Sequence, residues 1–221
     1  MELVKKLNII RGGIYLVLNP EADTELLLTR LAGALAGGLQ AVQIWNNWQA
    51  GAARLDIIEA VGQLCQKHSV PLLINQEWEL LLHSPWLQGV HFDKIPVNFE
   101  HIKKIVNRPF LSGITCSNNL DTVAWADESK LDYVSFCSMF PSPSAGHCDL
   151  VMPATVRRAR RMTDLPIFVA GGITPQNIIK LKKETPFNGV AVISGILNAV
   201  NPQQKVKEYK DALLHPKKVQ L

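Results

Sequence analysis

The sequence contains no apolar run approaching the roughly 20 residues that a membrane-spanning helix requires. Its amino terminus also lacks a charged stretch followed by an apolar one and a cleavage site. A protein that is neither membrane-bound nor exported is expected, hence a cytoplasmic one. Paired cysteine spacing is missing too. Cys65, Cys116, Cys137 and Cys148 show no C-x-x-C pattern and read as reduced thiols, so neither a disulfide frame nor a structural zinc is indicated. Charge of one sign is scarce: the net charge is +4, and the densest basic run, Arg157 to Arg161, falls within a helical pattern. That is a solvated helix face rather than a nucleic-acid surface, because a polyanion demands many basic contacts; small anionic ligands suit the mild positive balance. Glycine and proline are scattered rather than clustered, and no strand is followed by G-x-G-x-x-G, which argues against disorder and against a dinucleotide-binding fold.

What is present is regular alternation. Short runs rich in Val, Ile, Leu or Phe predict strands at Gly13 to Leu18, Ala41 to Ile44, Pro71 to Ile74, Gly89 to Phe92, Phe110 to Thr115, Asp132 to Phe136, Pro166 to Ala170 and Gly189 to Ile193. Between and after them, helical periodicity predicts helices over Glu21 to Ala36 and near 50–67, 77–84, 98–106, 119–127, 153–163, 176–184 and 202–214. Pro153 and Pro175 stand at first helical turns. Near-continuously apolar strands alternating with helices imply a parallel sheet buried on both faces. Eight such units in 221 residues imply an α/β single-domain (β/α)8 barrel over 1–214. A flexible basic tail is expected over 215–221.

In such a barrel the reactive groups gather where strands end and the next loops begin. Ala170-Gly171-Gly172-Ile173-Thr174-Pro175 follows the seventh strand, and Ile193-Ser194-Gly195-Ile196-Leu197 follows the eighth. Glycines there let backbone amides approach an anion, and a following helix presents its positive end. A phosphorylated small molecule is therefore expected at Gly171, Gly172, Ser194 and Gly195.

The chain resembles the thiamine phosphate synthases and their TenI-like relatives over nearly its whole length. The resemblance is carried by Gly13-Ile14-Tyr15-Leu16-Val17, Ala41-Val42-Gln43-Ile44, Val70-Pro71-Leu72-Leu73-Ile74-Asn75, Gly89-Val90-His91, Asp132-Tyr133-Val134 with Phe140-Pro141, Ala170-Gly171-Gly172-Ile173, and Gly189-Val190-Ala191-Val192 ending in Ser194. It implies a barrel transferase of thiamine biosynthesis, usually a homodimer, that couples hydroxymethylpyrimidine pyrophosphate to a thiazole phosphate with magnesium and releases pyrophosphate. Residue by residue, it places substrate contacts at Gln43 and Asn75 and hydroxyls at Thr115, Ser142 and Ser144. His91, at the end of the fourth strand, is a candidate acid or base, or a hydrogen-bonded structural group.

The sequence departs from that family in one half of the site. Both cations usual after the second strand are replaced in Gln43-Ile44-Trp45-Asn46-Asn47. One metal carboxylate has become Gln76, the other Pro96, and a lysine has become Ala145. Hard divalent cations want oxygen ligands and usually a carboxylate, so these replacements speak against the usual magnesium site. Glu77, Asp93, Asp149 and Lys94 are candidate replacements. Trp45 and Trp48 could stack on a heteroaromatic ring, and His147 beside Cys148 could form an activated thiolate. Two alternatives to the transferase are a metal-independent thiazole phosphate isomerase, for which Ser117 stands in place of a proton-transferring histidine, and a non-catalytic barrel that binds a phosphorylated thiamine precursor.

Overall fold

A computed structural model describes residues 9–142 and 149–214. Eight strands, β1 (Gly13–Leu18), β2 (Ala41–Ile44), β3 (Leu72–Asn75), β4 (Gly89–Phe92), β5 (Leu111–Thr115), β6 (Tyr133–Phe136), β7 (Ile167–Ala170) and β8 (Gly189–Val192), pair in chain order. All pairs are parallel, and β8 closes onto β1 with Gly13 opposite Gly189. Around them lie α1 (Thr24–Gly37), α2 (Arg54–Lys67), α3 (Leu80–His83), α4 (Phe99–Val106), α5 (Leu120–Glu128), α6 (Pro153–Arg160), α7 (Pro175–Glu184), α8 (Ser194–Leu197) and α9 (Pro202–Leu214).

The boundaries differ from expectation where local chemistry overrides apolar pattern. Strands expected to begin at Pro71 and Pro166 begin one residue later. Proline has no N–H to give a ladder, although Pro71 O still accepts from Val42 N and Pro166 O from Val134 N, each at 3.0 Å. The strands expected from Phe110 and Asp132 likewise start at Leu111 and Tyr133, and β8 ends at Val192 rather than Ile193. The first helix starts at Thr24, not Glu21, because the Asp23 side chain accepts the Leu26 amide at 2.9 Å and caps it. The helix expected over 77–84 shrinks to α3, and α8 was not anticipated: its four residues are too few to show a period. Pro153 and Pro175 occupy first turns as expected.

Two cores result from the period of two along each strand. One face of every strand meets the helices: Ile14, Leu16 and Leu18 of β1 pack there with Leu31 and Leu35 of α1 and Val206 of α9. The other face fills the barrel with Ile10, Tyr15, Ala41, Leu73, Leu111, Tyr133 and Phe168. Three rings hold the centre. Phe168 meets Tyr15 and Tyr133 edge-on at centroid distances of 5.7 and 5.5 Å, and the two tyrosines are 5.6 Å apart. Small residues make their room: a Cβ on Gly113 would come within 2.1 Å of the Tyr133 ring, and one on Gly189 within 2.4 Å of Phe168. The floor of the mouth is thus an aromatic plug that carries two phenol hydroxyls. Where those hydroxyls go decides the site.

Candidate functional site

At the carboxyl ends of the strands the barrel interior turns from apolar to polar. Gln43, Asn75, His91 and Ser135 are all buried there, with Thr115 partly open. A continuous chain of hydrogen bonds crosses the mouth. Tyr15 Oη donates to Gln43 Oε1 at 2.8 Å and lies 2.9 Å from Tyr133 Oη. Tyr133 Oη is 2.9 Å from His91 Nδ1, and His91 Nε2 is 2.9 Å from Thr115 Oγ1. The His91 and Tyr133 rings lie nearly parallel, 18° apart. Five side chains from β1, β2, β4, β5 and β6 are joined, and of these Gln43, His91 and Thr115 were expected from sequence. Tyr15 and Tyr133 were not; the available signal was a phenol at an interior strand position, since a buried tyrosine hydroxyl seeks a partner.

Burial sets the protonation states. Desolvation pulls His91 down from 6.5 to about 4, against a smaller upward pull from Asp93, and it pushes both tyrosines up. His91 is therefore neutral near pH 7. Because its folded-state value lies below its unfolded one, the unfolded chain takes up a proton below about 6.5 that the folded protein refuses until about 4. Stability falls through that window as pH falls. The contribution of His91 between pH 7 and pH 5 is expected to be a loss of about 2 kcal/mol. Urea denaturation at the two pH values measures it, and a His91→Gln chain should lack that part of the slope; identical slopes would refute the assignment.

Beside this network, Asn75 Nδ2 donates to His91 O at 3.2 Å and to Asp93 Oδ1 at 2.9 Å. Its Oδ1 is buried without a partner, which is costly unless a ligand donates to it. The carboxylate of Glu77, one of the candidate replacement metal ligands, is otherwise engaged. Trp48 Nε1 donates to Glu77 Oε2, and Arg54 Nη1 to Glu77 Oε1, each at 2.5 Å, while the Arg54 guanidinium lies 5.6 Å over the Trp48 ring. Trp48 is thereby packed and hydrogen-bonded in the loop. Asn47 donates to Asn19 Oδ1 and Glu21 Oε2. The donor set does not fit magnesium: one carboxylate, Asp93, stands beside one amide oxygen, and no group of three or more His, Cys, Asp and Glu capable of holding a metal occurs among the described residues.

Across the mouth, Gly171 and Gly172 turn with φ of +84° and +61°. Their turn is braced on three sides. Met139 N donates to Ala170 O and Phe140 N to Gly171 O, tying it to the loop after β6. Asn177 Nδ2 donates to Gly172 O at 2.8 Å from within the capping box that opens α7 at Thr174. Tyr209 of α9 donates to Ile173 O at 2.7 Å, and the same hydroxyl lies 2.4 Å from where a Cβ on Gly195 would stand. One phenol thus touches both turns. The first amide bonded within α8 is that of Ile196, so those of Ser194 and Gly195 precede its hydrogen-bonded backbone.

Ser142 lies half-buried beyond β6; Ser144, Ala145, His147, Cys148 and the tail 215–221 lie outside the described residues. Ser117 donates to Cys137 O, and burial pushes the Cys116 thiol up to about 12, the behaviour of a core residue. Among the described residues no helix is long and apolar enough to cross a membrane.

Comparison with known proteins bears on the family and the fold. The family described as thiamine monophosphate synthase matches residues 14–196. The thiamine-phosphate synthase of Thiobacillus denitrificans is 30% identical over 197 residues, covering 89% of this chain and 92% of its own. That of Nitrosococcus oceani is 30% identical over 203 residues, covering 90% and 91%. Among solved structures, the thiamine phosphate pyrophosphorylase of Pyrococcus furiosus superposes with a TM-score of 0.76 at 20% identity, over 93% of this chain and 97% of that one, and shows the same fold. The chain belongs to the thiamine monophosphate synthase family.

Proposed function

We propose that this protein is a thiamine phosphate synthase-type transferase that couples hydroxymethylpyrimidine pyrophosphate to a thiazole phosphate and releases pyrophosphate. The observation that carries this reading is the division of one barrel mouth into two unlike halves. The β2–β5 side carries fixed hydrogen-bonding groups at Gln43, Asn75, His91 and Thr115, suited to a flat polar ring. The β7–β8 side carries the braced turns Gly171-Gly172 and Ser194-Gly195, suited to a phosphate received on backbone amides. A two-substrate transfer needs both, held so that the reacting atoms meet.

In this reading Gln43 and Asn75 orient the pyrimidine, and the glycine turns hold the thiazole phosphate. Ser142 and Ser144 supply hydroxyls to the departing pyrophosphate. His91, neutral and buried, holds the hydroxyl of Thr115 in place. No step is assigned to magnesium, because the residues at the β3 and β4 ends do not supply its usual ligands. The isomerase and pure binding readings are less favoured, since the relatives named above are synthases that match this chain along most of its length.

The test is turnover by the purified protein with both substrates, read as pyrophosphate release, alongside thermal unfolding with thiazole phosphate alone. Release of pyrophosphate dependent on both substrates is expected, together with a rise in melting temperature on adding thiazole phosphate. Absence of both would overturn the proposal; protection without turnover would leave only the binding half.

A further inference from the structure

Hydrogen atoms can be counted along the chain of five side chains. Tyr15 gives its single hydroxyl proton to Gln43 Oε1. Its oxygen must then accept from Tyr133, whose own oxygen is left to accept from His91 Nδ1–H. A neutral imidazole carrying its proton on Nδ1 has a bare Nε2, so the last bond runs from the Thr115 hydroxyl into His91. Each bond fixes the next. Only one other order donates every hydroxyl proton within the chain, the complete reversal, in which the Gln43 amide is turned about and every proton moves the other way. The two orders present opposite polarity to the mouth at both ends.

We propose that Tyr15 and Tyr133 are positioning residues that carry the orientation of Gln43 to His91, locking it as the Nδ1–H tautomer so that Thr115 offers a substrate only lone pairs while Gln43 offers it N–H groups. The unpartnered Asn75 Oδ1 adds a further acceptor, its own N–H groups being taken by His91 O and Asp93. A substrate ring in this mouth would meet acceptors at Asn75 and Thr115 and donors at Gln43, so a ring that turned carbonyl oxygens toward Asn75 or Thr115 would set lone pairs against lone pairs. This inference rests on the transferase reading for its substrate, but the tautomer is a property of the free protein and is tested without one.

The measurement is long-range proton–nitrogen correlation on 15N-histidine-labelled protein, with His91 identified by its loss in a His91→Gln chain. The expected pattern is a pyrrole-type Nδ1 and a pyridine-type Nε2; the reverse pattern would overturn the proposal even if turnover is normal. Tyr15→Phe is the sharper arm, because Tyr15 bonds to Tyr133 and Gln43 and makes no hydrogen bond to His91. Without it the Tyr133 proton loses its acceptor and turns to Nδ1, moving the imidazole proton to Nε2. An unchanged His91 tautomer in Tyr15→Phe would mean that the tyrosines only fill space. If that chain does not fold, Gln43→Leu removes the terminal acceptor from the mouth end and should give the same change. Gln43→Glu, whose carboxylate can only accept, should keep the original tautomer. In turnover, Tyr15→Phe should raise KM for the pyrimidine substrate about tenfold, the equivalent of roughly 1.4 kcal/mol, and leave KM for thiazole phosphate unchanged. Equal rises in both would count against the proposal.

Discussion

A Gly171→Val chain is expected to lose about 3 kcal/mol of stability and the thermal protection conferred by thiazole phosphate. Two costs add. A φ of +84° lies in the region where a Cβ is penalised by roughly 1–2 kcal/mol, and a β-branched side chain fares worse. The new Cβ would also stand 2.0 Å from Ser138 Oγ and 2.8 Å from Ser138 Cα. That neighbour cannot yield cheaply, because Val151 N donates to Ser138 O at 2.7 Å and Met139 N to Ala170 O at 2.8 Å. The turn itself must move, and with it the amides assigned to phosphate, so binding should weaken by more than about 100-fold, near 3 kcal/mol. Gly51→Val is the control: its φ is +76°, but nothing lies within 4 Å of the added Cβ. It should pay the backbone cost alone and keep full protection by thiazole phosphate. Equal protection of both chains in a thermal melt would remove the phosphate from this turn.

Phe168→Ala should be the most damaging single truncation in the barrel interior, at about 3–5 kcal/mol. The ring is fully buried and packs edge-on against Tyr15 and Tyr133. Its removal leaves a cavity that closed strands cannot collapse to fill, since β7 is held on both sides by β6 and β8. The two tyrosines would lose the wall that holds their hydroxyls in line, so the pyrimidine KM should rise as well. Urea denaturation measures the first effect; a loss under about 1 kcal/mol would mean that the centre of the barrel is not packed as described.

How much of this was legible beforehand differs by level. All eight strands announced themselves, because a strand buried on both faces must be apolar throughout and its ends are marked by Gly, Pro, Asn or Ser. Closure followed from their number. Gln43, Asn75 and Thr115 could be named because they match positions where the resemblance to the thiamine phosphate synthases implies substrate contacts, and His91 because it lies toward the end of the fourth strand. The engagement of Glu77 by Arg54 and Trp48 could not be named, since Arg54 lies 23 positions away in sequence and only the turn into α2 brings it back. Tyr209 was equally silent, a buried residue on a helix whose hydroxyl reaches a loop 36 positions earlier.

Sequence alone therefore determined the period of the strands, the closure of the barrel and the glycine turns, since each of these depends on residue type repeated or placed at short range. Tertiary structure alone decided polarity. Whether His91 gives or takes a proton at each nitrogen depends on Tyr15, Tyr133 and Gln43, three residues from three other strands, and hydrogen bonds between strands distant in sequence leave no periodic trace in the chain.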